Sequence, residues 1–166
     1  MQILQKYILN TLVFDEDQKS LSQTVTWLNL AGHHAEPCKD YTEFVDKLTN
    51  EEMYFDVVIF DFNDTNAGEF DSLHGVRLFH FYNGQKKQKP KFILYTNQKQ
   101  LAAQKLEDIK NAQVSTIIYK SLESMYFFEK IANQLELPAS VGEEWEKSLN
   151  YKINKPTNNV IQLKPK

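Results

Sequence analysis

Four apolar runs in this chain end in side chains that can handle phosphate or a metal ion. Phe55-Asp-Val-Val-Ile-Phe60 runs into Asp61, and Val13-Phe14 into Asp15-Glu16-Asp17. Phe92-Ile-Leu-Tyr95 runs into Thr96, and Ile117-Ile-Tyr119 into Lys120. Brought together, Asp15, Glu16 and Asp61 would repel one another, so one must take a proton or a cation must sit among them. Mg2+ suits such a group, because it commonly uses one or two carboxylates, several waters and phosphate oxygens. Lys120 adds a positive charge for Asp61 or for a phosphoryl oxygen, and Thr96 adds a hydroxyl donor. A carboxylate nucleophile, a metal, a lysine and a hydroxyl are the parts needed to move a phosphoryl group onto an aspartate.

Each residue also has a plainer reading. An Asp at a strand end often only caps a helix, which would account for Asp15 or Asp17. A Thr there is often a turn residue, and a Lys after a strand is often solvated. The joint pattern favours a single site, because parallel strands of an open α/β sheet point their carboxyl ends into one crevice.

The elements that must carry these residues follow from periodicity. Strands are expected at Ile8–Phe14, His33–Pro37, Phe55–Phe60, Lys91–Tyr95 and Val114–Tyr119. The third is continuously apolar after Asp56, as in a strand covered on both sides. Helices are expected at Ser20–Leu30 with Ser20 as cap, then at Tyr41–Leu48, Leu73–Tyr82, Gln98–Asn111 and Leu122–Leu137. Gly32 is a natural stop for the first helix and Pro138 for the last. Asn63 to Ser72 reads as a loop, and Asn83-Gly84 with Gln85-Lys-Lys-Gln-Lys89 as a turn and solvated connector. Five strands alternating with five helices predict a parallel sheet covered on both faces. Residues 138–166 fall outside that pattern. Val141, Trp145, Leu149 and Ile153 put an apolar stripe on a possible helix. That segment is open to three readings: a helix docked on its own domain, a partner-binding segment or a partly disordered tail. The organisation expected is a domain over 1–137 and an extension over 138–166.

Composition narrows the class. The chain has 166 residues, 42% hydrophobic and 25% charged, which is ordinary for a globular protein. A net charge of −3 and the absence of a dense Lys/Arg block argue against nucleic-acid binding. The lone Cys38 excludes an internal disulfide and reads as a small buried hydrophobe. No apolar run is long enough to span a bilayer and no signal-peptide pattern opens the chain, so a cytoplasmic location is expected. His33-His34 are poor co-ligands, since neighbours on a strand point to opposite faces. Tyr126-Phe127-Phe128 reads as core.

From residue 8 to 137 the chain resembles a response-regulator receiver domain, the phospho-accepting module of two-component signalling. Val13-Phe14-Asp15-Glu16-Asp17 resembles that family's first-strand acidic cluster, and Val57-Val-Ile-Phe-Asp61-Phe-Asn63 its third-strand segment. Thr96 matches the fourth-strand Thr/Ser and Lys120 the fifth-strand lysine. The resemblance implies a flavodoxin-like three-layer sandwich with strand order 2-1-3-4-5. It implies Asp61 as phospho-acceptor, with Lys120 and Thr96 on the phosphoryl oxygens. Mg2+ would be held by Asp15, Glu16, Asp61 and the backbone carbonyl of Asn63. It further implies a histidine kinase or phosphotransfer protein as donor, a downstream protein partner, and a homodimer through the fourth and fifth helices. Output would be protein–protein contact by a stand-alone domain that is not a turnover enzyme.

The chain departs from the family pattern in four places. The stretch from Asn63 to Gly75 is long and lacks the usual Pro. Asn97 replaces a small residue, Ser121 a proline, and Ile117 lies where many receivers carry a switching aromatic. The altered loop, Asn97 and Ser121 support the alternative of a degenerate receiver acting as an interaction module. A haloacid-dehalogenase-type phosphohydrolase would use Asp15-Glu-Asp17, Thr96 and Lys120, but it leaves Asp61 without a role.

Overall fold

Continuously apolar strands, buried on both faces, build the centre of the molecule. The computed structural model describes residues 7–62, 72–83 and 89–154. In chain order its elements are β1 (Asn10–Phe14), α1 (Gln18–Leu30), β2 (His34–Cys38), α2 (Tyr41–Leu48), β3 (Val57–Phe60), α3 (Ser72–Asn83), β4 (Lys91–Thr96), α4 (Ala103–Asn111), β5 (Thr116–Tyr119), α5 (Ser124–Gln134) and α6 (Ala139–Asn154). The strands form one parallel sheet in the order β2-β1-β3-β4-β5, the order expected. β3 lies in the middle and all four of its residues are buried. β2 is an edge strand, where Pro37 costs no ladder hydrogen bond that the sheet needs.

Because strand side chains alternate between faces, the sheet carries two cores. Val13, Val57, Ile59, Ile93, Tyr95 and Ile118 pack with Leu21, Leu28, Phe127, Phe128 and Ile131 on the side of α1 and α5. Leu12, Phe14, Val58, Phe60, Phe92 and Leu94 pack with Phe44, Leu48, Leu73, Val76 and Ile109 on the side of α2, α3 and α4. Cys38 is fully buried in the second core, and burial pushes its thiol up to about 12.

Residues 139–154 form a helix docked on the first face. Val141, Trp145 and Leu149 are buried there, whereas Ile153 at the end of the stripe is half exposed. Gly142 permits the close crossing of α6 over α5: a Cβ at that position would stand 3.2 Å from the carbonyl oxygen of Phe128. Ser148 donates to the Leu30 carbonyl, and Ser124 donates to the Glu146 carboxylate, so α6 is tied to both α1 and α5. Trp145 meets the ring of His33 edge to face at 4.5 Å.

Several boundaries differ from the sequence reading. The cap of α1 is Asp17, whose carboxylate accepts from the Lys19 and Ser20 N–H groups, so Ser20 lies inside the helix. α4 begins at Ala103 rather than Gln98, with Leu106 exposed and Ile109 buried; Ala102 caps it without a side-chain hydrogen bond, and the Gln98 N–H is taken by the Thr96 hydroxyl. α5 ends at Gln134, and the left-handed backbone of Glu136 (φ 57°) breaks it before Pro138 is reached. Pro138 opens α6 instead, its carbonyl accepting from the Val141 N–H. Gly32 does follow α1 as expected, at φ 101°. The turn and connector at 84–88, residues 63–71 and the tail from 155 lie outside the described residues.

His33 gives the fold a measurable pH dependence. Its Nδ1 accepts the Leu9 N–H at 3.0 Å, so the ring proton sits on Nε2 and the buried imidazole is neutral. Burial, with a smaller contribution from His34, lowers its pKa from 6.5 to about 4. The unfolded chain therefore binds the proton more readily. Stability should be fully present above pH 6.5 and fall by roughly 3 kcal/mol as pH drops toward 4. Urea titrations at intervals between those pH values should show this slope in the wild type. In His33→Asn, which keeps an acceptor for Leu9 but cannot titrate, it should be absent. An unchanged slope in the variant would assign the effect to another group.

Candidate functional site

The hydrogen-bond ladder of the sheet runs one residue past three strand ends, and those residues carry the charges. The Asp15 N–H donates to the Cys38 carbonyl, the Asp61 N–H to Phe14, and the Lys120 N–H to Thr96. Each backbone is thus fixed by a neighbouring strand before its side chain is placed. Parity does the rest. Asp15 follows Val13 by two residues, Asp61 follows Ile59 and Lys120 follows Ile118, so all three side chains fall on the face of the first core.

The charged groups meet. The Lys120 ammonium lies 2.7 Å from Asp61 Oδ2 and 2.8 Å from Asp15 Oδ2. The other carboxylate oxygens are also held: Asp15 Oδ1 accepts the Asp17 N–H and Asp61 Oδ1 the Phe62 N–H. The ammonium belongs to an edge strand two positions from β3 and three from β1. With strands about 5 Å apart, only a long side chain spans that distance. The trio is largely buried, the side chains of Lys120, Asp15 and Asp61 being 10%, 6% and 17% exposed.

Burial sets the electrostatics. It pushes the Asp61 carboxyl above its usual 3.8, and the hydrogen bond and charge of Lys120 only partly oppose it. Burial alone would lower Lys120, but its hydrogen bonds to Asp15 and Asp61 and their charges outweigh this and raise it. Tyr95 shares the site. Its phenol is pushed up to about 12 by burial and then by the charges of Asp15 and Asp61, and the Lys120 ammonium stands 5.7 Å from its ring centre.

The remaining sequence candidates divide. Thr96 is buried at the end of β4, but it has the opposite parity to Tyr95. Its hydroxyl oxygen accepts the Gln98 N–H and makes no hydrogen bond to Asp61 or Lys120. Glu16 is partly buried beside Asp15. Asn63 lies outside the described residues. Among the described residues no three His, Cys, Asp or Glu side chains stand together at metal-holding separation. The donor set nevertheless fits a hard cation: two buried carboxylates share one ammonium and leave the trio with a net negative charge. The sequence pattern marks Tyr95 only as the end of the apolar run that leads into Thr96. The signal was available, since it follows Ile93 by two residues and so shares the parity of Asp61.

The topology and this cluster can be set against known proteins. No family profile matches the chain, and no curated protein matches it. Solved structures do. A CheY-like receiver domain protein from Methanospirillum hungatei JF-1 is 21% identical with a TM-score of 0.64, covering 78% of this chain and 95% of that one. The chemotaxis protein CheY4 of Vibrio cholerae is 16% identical with a TM-score of 0.62, covering 76% and 98%. The beryllofluoride-activated NtrC4 receiver domain dimer is 16% identical with a TM-score of 0.59, covering 76% and 96%. The chain has the receiver-domain fold. Among the described residues no helix is long and apolar enough to cross a membrane.

Burial of the trio predicts opposite effects for its members. Ionised Asp61 costs stability, because its raised pKa means that the folded state holds its proton more tightly than the unfolded chain does. Asp61→Asn should therefore be more stable than wild type at pH 7 in urea titration, with the advantage disappearing as pH falls below 3.8. Lys120→Met leaves two buried carboxylates facing each other and should cost about 3 kcal/mol or more at pH 7. Equal stability of all three proteins at pH 7 would mean that the cluster is solvated.

Proposed function

We propose that this protein is a phospho-accepting receiver, with Asp61 as the acceptor. The observation that carries the reading is the Lys120 ammonium held between Asp61 and Asp15 at the carboxyl edge of a receiver-fold sheet. In the proposed reaction an Asp61 carboxylate oxygen attacks the phosphorus of a phosphohistidine on a histidine kinase or phosphotransfer protein. The new P–O bond forms as the P–N bond breaks, and the departing imidazole takes a proton. Lys120 already lies against the acceptor carboxylate and neutralises charge gathering on the phosphoryl oxygens. The Thr96 oxygen is occupied by the Gln98 N–H, while its own hydrogen remains to donate to a phosphoryl oxygen.

Asp15 and Glu16, partly through water, together with Asp61 and the Asn63 carbonyl, are the groups that would hold Mg2+. The ion would supply positive charge to the phosphoryl oxygens. The chain acts here as an acceptor rather than as a turnover enzyme. The added charge would bias the face around α4 and α5, where Leu106, Leu122 and Met125 are exposed and open to a downstream protein or a second copy.

Intact mass spectrometry after incubation with acetyl phosphate and Mg2+ tests the proposal. One phosphoryl adduct should form on the wild type and none on Asp61→Ala. Asp15→Ala and Glu16→Ala should bind Mg2+ more weakly in titration. Labelling that persists in Asp61→Ala would move the acceptor elsewhere. A wild type that never labels would favour a phosphorylation-independent interaction module.

A further inference from the structure

The path Lys120 takes to its carboxylates crosses a side chain to which nothing above gives a role. Strand register aligns Phe14 with Phe60, Phe60 with Leu94, and Tyr95 with Ile118. Carried one residue further, the same register aligns Asp15, Asp61, Tyr95 and Ile118 in one row. The parity of the pleat puts all four on one face. Lys120 is two residues beyond Ile118 on the same face, so its side chain must pass over β4 to reach β3, and Tyr95 is the β4 residue in that row. The geometry agrees, with the ammonium 5.7 Å from the Tyr95 ring centre.

The ring itself is fixed. Tyr95 is 5% exposed and packs on Phe127 with ring centres 5.1 Å apart. The ammonium has somewhere else to go. A cavity of about 340 Å3 lies beside it, between the start of α1 at Lys19 and Ser20 and the loops at Asn97 and Ser121, and both Lys120 and Tyr95 line it. A lysine side chain has considerable rotamer freedom to lose. Two nearby carboxylates attract it, but the opening alongside competes.

We propose that Tyr95 is a positioning residue for Lys120, its ring face backing the ammonium so that it stays between Asp15 and Asp61 rather than swinging into the adjoining cavity. An ammonium near an aromatic face is attracted by the ring quadrupole, most strongly where water is excluded. The ring, not the hydroxyl, is the active part, so Phe should replace Tyr and an aliphatic residue should not. The kinetic consequence rests on Asp61 being the phospho-acceptor. The geometric claim does not.

Solution NMR separates the two. In the wild type the ε-protons of Lys120 should be shielded by the ring relative to those of exposed Lys19, and Tyr95→Phe should preserve this. Tyr95→Leu should lose the shielding and weaken the NOEs from the Lys120 ε-protons to the β-protons of Asp15 and Asp61, because the ammonium has withdrawn. A purely packing role for Tyr95 would lower stability without changing those NOEs. Labelling with acetyl phosphate should slow about three- to tenfold in Tyr95→Leu and recover in Tyr95→Phe. Unshielded Lys120 protons in the wild type would overturn the proposal even if Tyr95→Leu fails to fold. So would NOEs from Lys120 to Asp15 and Asp61 that are unchanged in a folded Tyr95→Leu. Absence of labelling in every protein, with the NMR differences present, would overturn the acceptor reading and leave the role of Tyr95 standing.

Discussion

Two carboxylates held against each other away from water need a positive charge between them, and Lys120 supplies it to Asp15 and Asp61. Removing such groups from water costs several kcal/mol each, which their attraction offsets only when the geometry is good and the remaining lone pairs are occupied. Each carboxylate also takes a backbone N–H, yet at Asp61 burial still outweighs the pull of Lys120 and raises the carboxyl. The parallel sheet makes this possible. Antiparallel neighbours would send adjacent strand ends to opposite edges, whereas here β1, β3, β4 and β5 all deliver their last residues to one edge. The fold and the charge cluster therefore depend on each other.

The rest of the first face serves as backing for that edge. A chain of ring contacts runs from Trp145 on α6 to Phe128 and Phe127 on α5, and on to Tyr95 on β4 beneath Lys120. α6 seals the far end of this chain, and His33 sits against it with its only exchangeable ring proton on Nε2. The helix lies outside the alternating pattern of strands and helices, yet its Trp145 is among the largest fully buried side chains of the protein. It covers part of the α1–α5 face.

Much of this was legible in the residues. The apolar run of β3 and the alternation of strand and helix signals specify a parallel α/β sheet, and the strand-end residues Asp15, Asp61 and Lys120 follow directly. What could not be read has physical causes. Asp17 and Ser20 are both good caps, and only the backbone shows that Asp17 takes the N–H groups. The stretch before Ala103 has helix-forming residues, but the Gln98 N–H turns back to the Thr96 hydroxyl, so composition overstated the length of α4. Pro138 is compatible with either the end of one helix or the start of the next, and Glu136 decides between them with an unusual backbone angle. Thr96 illustrates the limit of motif reasoning. Its place in the order of strand ends is as expected, but its parity and its hydrogen bond to Gln98 set it apart from the charged row. Tyr95, one residue earlier, occupies that row.

The most direct measurement is a crystal structure of the protein with Mg2+ and beryllofluoride. A beryllofluoride group bonded to an Asp61 carboxylate oxygen, with the Lys120 ammonium on one of its fluorines and a metal ion coordinated by Asp15, is the predicted result. An Asp61 carboxylate still held by Lys120 with no ligand beside it at saturating beryllofluoride, or an adduct on a different carboxylate, would contradict it.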